Sequence, residues 1–173
     1  MRYKVIPEVR AKRLRARFIT EFVDTASGNY RSYCDESNEY VRHFLWDSLR
    51  DYSLEKPCGT QEQAAEFLER FDHVYFMWDL RREGTFFADE YPNAVIETSG
   101  GEVGRLAVDE WNAEIEAEKH DCYIEHPMLP SDIYVFDDSF SWYVVFTHES
   151  NDCDSLDDIV RYCIILQSVD KEV

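Results

Sequence analysis

Ile133-Tyr134-Val135-Phe136-Asp137-Asp138-Ser139-Phe140-Ser141-Trp142-Tyr143-Val144-Val145-Phe146-Thr147 is the stretch that decides the fold. Two runs of aromatic and β-branched residues, the types that pack best on a pleated surface, flank a short polar turn at Asp137-Asp138-Ser139. That pattern predicts a β-hairpin. Upstream, His73-Val74-Tyr75-Phe76-Met77-Trp78 has the same composition and predicts another strand. A tight turn at Glu83-Gly84 leads into Thr85-Phe86-Phe87, read as a further extended piece. Ala94-Val95-Ile96-Glu97-Thr98 predicts the next strand, closed by Ser99-Gly100-Gly101. Downstream, Arg161-Tyr162-Cys163-Ile164-Ile165-Leu166 predicts a final strand beyond the acidic link Asp152 to Asp158.

The flanking segments have helical period. After Pro7, which suits a first helical turn, Leu14, Phe18 and Phe22 recur at four-residue steps beside Ile19, opposite a face of Arg10, Lys12, Arg13 and Arg17. Thr25 to Asn38 reads as a loop. Ser37 or Asn38 would cap a second helix with Val41, Phe44, Leu45, Ser48 and Leu49 inward. Thr60-Gln61-Glu62-Gln63 is a capping box opening a third helix to about Phe71, with Ala64, Phe67, Leu68 and Phe71 inward. From Arg105 to Glu118, Val108, Trp111 and Ile115 share one face; Asp109, Glu110, Glu114, Glu116 and Glu118 fill the outward positions. Helices first and strands later, without βαβ alternation, predict an α+β fold: N-terminal helices followed by a mainly antiparallel β-sheet with one further acidic helix. At 173 residues the expectation is a single domain, 1–173, with a basic N-terminal helix region, 1–31, and an acidic body, 32–173.

Charge is divided along that boundary. Residues 1–31 hold eight Lys/Arg against three acids, and the rest of the chain holds ten against 33, for a net charge of −18. A body that acidic repels nucleic acid and membrane surfaces and attracts basic partners. Its 45% hydrophobic and 15% aromatic content suits a folded core rather than a disordered polyelectrolyte. No apolar run is long enough for a membrane span, and the N-terminus lacks the apolar stretch of a secretory signal. Five scattered cysteines without a C-x-x-C pair read as reduced thiols, and the expected location is cytoplasmic.

Motifs for chemistry are sparse. Ser99-Gly100-Gly101-Glu102-Val103-Gly104 lacks the spacing and the lysine of a phosphate loop and reads as a structural turn. His120-Asp121-Cys122 with Glu125 and His126 has metal-ligand residue types, but its spacing matches no zinc framework, so a surface loop without metal is expected. His148-Glu149 is the best acid–base pair, although neighbours on a strand point to opposite faces. No cofactor motif is present, and no nucleophile signature.

The segments carrying Trp78, Asp79, Phe136, Asp137, Ser139, Trp142, Thr147, His148 and Glu149 resemble a group of small acidic bacterial proteins, of immunity type or unassigned. In these an aromatic strand ending in Trp-Asp precedes a hairpin ending in Thr-His-Glu. The resemblance covers the strands and not the helical N-terminal third, and it implies no enzymatic activity.

Three function classes follow. The first is a non-catalytic immunity or inhibitor protein that neutralises a basic partner, a nuclease-type toxin or nucleic-acid enzyme, by charge complementarity. Its contact surface would be Asp109, Glu110, Glu114, Glu116 and Glu118 with Asp152, Asp154, Asp157 and Asp158. The second is a small-ligand sensor or enzyme with a pocket around Trp78, Asp79, Asp137, Trp142, His148 and Glu149. The third is a subunit docking through its basic first helix. Composition favours the first and leaves the oligomeric state open.

Overall fold

A computed structural model describes residues 1–35, 44–50, 59–80, 84–150 and 161–167. The chain divides into two compact units, residues 7–56 and residues 1–6 with 57–173. That division falls elsewhere than the charge boundary at residue 31.

The smaller unit contains α1 (Glu8–Phe22), α2 (Gly28–Cys34) and a 3-10 turn at Leu45–Ser48. The predicted stripe of α1 is buried at Leu14, Phe18 and Phe22, and Arg10, Lys12, Arg13 and Arg17 are exposed. Helix α2 occupies part of the expected loop. Ser27 caps it by accepting from the Tyr30 amide, and it buries no residue, so it carries no apolar periodicity to betray it. The expected second helix is absent at Phe44, which is extended, and only the turn after it is helical; residues 36–43 lie outside the described residues. Local capping explains the short turn, since the Asp47 carboxylate accepts from the Phe44 amide at 3.0 Å. Arg50 then closes α1: its guanidinium donates to the carbonyls of Thr20, Glu21 and Val23 at 3.0–3.3 Å, satisfying helix-end acceptors that would otherwise need water.

Among the described residues, the larger unit is built on six antiparallel strands: β1 (Lys4–Val5), β2 (Val74–Trp78), β3 (Ile96–Thr98), β4 (Ile133–Phe136), β5 (Trp142–Ser150) and β6 (Arg161–Gln167), in the order β1-β3-β2-β4-β5-β6. The predicted hairpin is β4–β5, with Ile133 opposite Phe146 and Phe136 opposite Tyr143. Val74, Phe76, Trp78, Ile133, Val135, Trp142, Val144 and Phe146 share a core with Phe67 and Leu68 of α3 (Gln61–Leu68), Phe87 of α4 (Phe86–Glu90) and Val103 of α5 (Gly100–Lys119). The alternate residues Tyr75, Met77, Tyr134, Phe136, Tyr143 and Val145 are buried too. Burial on both faces is why these strands read as continuous apolar runs and not as alternating ones.

The fold is therefore α+β with an antiparallel sheet, as expected, but its helices interleave with the strands. A strand precedes α1, and Phe86-Phe87 lies in α4 instead of an extended segment. Thr85 caps α4 by accepting from the Ala88 amide, and the first helical amides, Phe86 and Phe87, donate to the carbonyls of Pro127 and Met128. A threonine before two aromatics suits a strand and a helix cap equally, and here capping wins. The capping box of α3 forms as read, with Thr60 and Gln63 exchanging hydrogen bonds. Thr60 also bridges Tyr162, and the Cys163 amide donates to the Gly59 carbonyl, so a two-residue segment runs beside β6.

Helix α5 starts earlier than its apolar residues suggested. Ser99 caps it, and Gly100 and Gly104 face α3: a Cβ on Gly100 would lie 2.1 Å from the Leu68 carbonyl oxygen, and one on Gly104 3.0 Å from the Ala65 Cα. The glycines thus serve a close helix crossing.

Candidate functional site

Trp78, Ile133, Phe146 and Cys163 form one row across β2, β4, β5 and β6. Just beyond it the four strands place Asp79, Asp132, His148 and Arg161 at the same end of the sheet. This polar fringe is the candidate site.

His148 is held by a buried carboxylate. Asp132 Oδ1 receives the His148 backbone amide at 3.1 Å and stands 2.9 Å from the ring Nδ1. The other ring nitrogen, Nε2, lies 3.3 Å from Glu149 Oε1. The two neighbours meet despite lying on one strand because the β5–β6 register is irregular between Phe146 and Ser150, which breaks the alternation of faces. A buried acid on one nitrogen and a surface acid on the other fix the orientation of the imidazole, with both ring nitrogens directed at acceptors. Beside it, Tyr134 Oη donates to Asp79 Oδ1 at 3.0 Å, and Asp79 is buried.

Arg161 is buried at the mouth of β6. Its Nε donates to the Thr147 carbonyl and its Nη2 to the Ser131 carbonyl, and the guanidinium lies 4.9 Å from the centre of the Trp111 ring. Its Nη1 stands 3.9 Å from Glu114 Oε2. Glu110 accepts from the amides of Met128 and Leu129 at 2.6 and 2.9 Å, fixing the loop that leads into Asp132. Burial pushes the carboxyls of Glu110 and Glu114 above the usual range, outweighing for Glu110 the loop amides and for Glu114 the Arg161 charge. Burial also lowers the Arg161 guanidinium. Gln61, Glu110, Glu114, Leu129, Phe146 and Arg161 line a narrow cleft here.

The acidic face of α5 is accordingly smaller than the sequence suggested. The inward stripe runs Gly100, Val103, Gly104, Ala107 and continues to half-buried Glu110 and Glu114, while Val108, Trp111 and Ile115 are also only half-buried. Weighting large apolar residues over glycine and alanine rotated the inward face by about one residue, or 100°. Asp109, Glu116 and Glu118 are exposed, and Asp152, Asp154, Asp157 and Asp158 lie outside the described residues. Past the helix end Tyr123 is 81% exposed, close in sequence to exposed Asp121 and Glu125. His120 turns to Glu116 and His126 to Asp89, so the ligand-type residues of this loop do not converge.

The proposed pocket residues separate into two groups. Trp78, Asp79, His148 and Glu149 lie at the fringe, with Trp78 inside the core. Asp137 and Trp142 lie at the opposite end of β5, six residues and about 20 Å from His148. There Asp137 accepts from the Trp142 indole and from Ser139, tying the hairpin turn, while Trp142 stacks on Phe71 at 4.2 Å. Sequence reasoning missed Asp132, Arg161 and Gln61 as site residues. A charged residue immediately preceding an apolar strand is the signal that would have found the first two.

Among the described residues no helix is long and apolar enough to cross a membrane. No family model, curated protein or solved structure matches the chain.

Proposed function

We propose that this chain is a non-catalytic acidic binding protein of the immunity or inhibitor kind, which neutralises a basic protein such as a nuclease-type toxin or a nucleic-acid enzyme. The observation that carries the reading is Tyr123, a large aromatic side chain 81% exposed beside an acidic helix end. Tyrosine is a preferred anchor of protein interfaces. Glu116, Glu118, Asp121 and Glu125, all exposed and near it in sequence, supply the field that steers a cationic partner. Asp109 extends that face, and Asp152, Asp154, Asp157 and Asp158 add charge from outside the described residues.

The test is capture of a basic protein from the native host, followed by association kinetics across a salt series. Association should slow steeply as the screening length falls from about 10 Å at 0.1 M to about 3 Å at 1 M. Tyr123→Ala should speed dissociation, and Glu116→Lys with Glu118→Lys should slow association. A rate flat in salt and indifferent to these changes would overturn the reading.

A second reading, a small-ligand sensor or enzyme, draws on the Asp132–His148–Glu149 arrangement. Thermal stabilisation by a metabolite that disappears in His148→Ala would favour it.

A further inference from the structure

Helix α1 carries the opposite charge to the rest of the chain. Its buried stripe is Ala11, Leu14, Phe18 and Phe22. At 3.6 residues per turn, the ridge facing away from that stripe is Val9, Arg13, Ala16 and Thr20, with Arg10 and Arg17 on one flank and Lys12 on the other. All seven are exposed, and none is acidic. The two glutamates of the helix, Glu8 and Glu21, lie nearer the buried stripe. Glu8 meets Lys12 at 2.6 Å and Glu21 stands 3.9 Å from Arg17, exposed pairs of a kind that contributes little and is readily exchanged for another acid. Val9, 67% exposed, and the small side chains of Ala16 and Thr20 leave a shallow apolar strip between the cations.

The segment after α5 is its counterpart. Tyr123, 81% exposed, stands between exposed Asp121 and Glu125 in sequence, and Glu116 and Glu118 are exposed on the last turn of the helix. Among the described residues the exposed large hydrophobic side chains are Met1, Val9, Leu80 and Tyr123. One of these sits within the basic surface and another within the acidic one. Opposite charge around two apolar contacts is the arrangement that fits one surface to the other, and arginine also packs on the face of a tyrosine ring.

We infer that α1 docks a second copy of this chain, its Val9–Arg13–Ala16 ridge receiving Tyr123 of that copy while Arg10, Arg13 and Arg17 meet the acids around it. Two different surfaces take part, so the contact either closes into a ring or continues from copy to copy. It uses the acidic surface of the function proposed above, and a basic partner would compete with the second copy for it. The self-contact does not depend on that function.

Net charge gives the contact a salt signature of its own. Two chains of −18 repel one another at long range. At 0.01 M salt the screening length of about 30 Å lets that repulsion act; at 0.1 M, about 10 Å, it is largely screened while touching charges still attract; at 1 M, about 3 Å, those weaken as well. Self-association should therefore peak at intermediate salt, whereas steering of a basic partner falls throughout.

The experiment is sedimentation velocity of the full chain alone, over a concentration series at those three salts. Association greatest near 0.1 M is expected, and Tyr123→Ala should weaken it about tenfold or more. Arg13→Glu with Arg17→Glu removes the basic surface, and Glu118→Lys with Glu125→Lys the acidic one. Each double variant alone should stay monomeric. Mixed, they should form a one-to-one complex and nothing larger, because each supplies the surface that the other lacks. All four positions are exposed, and a thermal melt checks each variant; should one fail to fold, the salt series with Tyr123→Ala decides. A monomer under every condition, association indifferent to the substitutions, or double variants that do not combine would overturn the contact. A chain that stays monomeric yet captures a basic partner would overturn the contact and leave the binding function standing. Self-association with no basic partner captured would uphold the contact and overturn that function.

Discussion

A glutamate in an acidic helix is ordinarily a solubilising charge, yet Glu110 is the acceptor for two consecutive loop amides. Glu110→Ala leaves the Met128 and Leu129 amides without it, and an unsatisfied buried donor costs about 1–3 kcal/mol. Chemical denaturation should read a loss of that size, whereas Glu116→Ala, at an exposed position, should change little. Glu114 carries a pH signature. Burial raises its carboxyl above the ordinary 4.5, so the folded protein keeps a proton that the unfolded chain has already released. The associated stability is present in full below the unfolded value and is lost as pH rises through the folded value. Glu114→Gln cannot titrate, so urea melts across that window should show a flatter fall in stability than the wild type. An unchanged slope would assign the pH dependence elsewhere.

At the scale of elements, the α3–α5 crossing depends on glycine. Gly100→Ala would drive its Cβ into the Leu68 carbonyl, where backbone must move, and overpacking of this kind costs roughly 1–3 kcal/mol or more. A melt unchanged by that substitution would mean that the helices separate freely. Trp142→Ala removes a buried ring stacked on Phe71 and bonded to Asp137, with an expected cost of about 3–5 kcal/mol. The hairpin, β2, β6 and the α3 cap were legible because their signals are local: aromatic and β-branched runs, a polar turn, a threonine three residues before a glutamine. Helix α2 was not, because it buries nothing, and α4 was not, because Thr-Phe-Phe fits a strand as well as a cap. The inward face of α5 was misread because its closest approach is made by Gly100, Gly104 and Ala107, residues that contribute little to hydrophobic periodicity. His148 was legible as a site residue from its residue type. Its partner Asp132, sixteen positions earlier, becomes a neighbour only through the pairing of β4 with β5.

At the scale of the whole molecule, charge and backbone do separate jobs. The net charge of −18 is a property of the side chains and sets the long-range field around the protein. The ends of the sheet are protected by other means. One outermost strand, β1, has two residues, and the other, β6, already has Gly59 and Thr60 along its start. A short strand and an occupied edge are poor templates for a further chain. At β1 and at the start of β6, resistance to cross-β fibre growth should therefore rest on the backbone and survive loss of the charge. Held at the pH where its charges cancel, the protein should cloud reversibly, stay negative with thioflavin T and redissolve on return to neutrality.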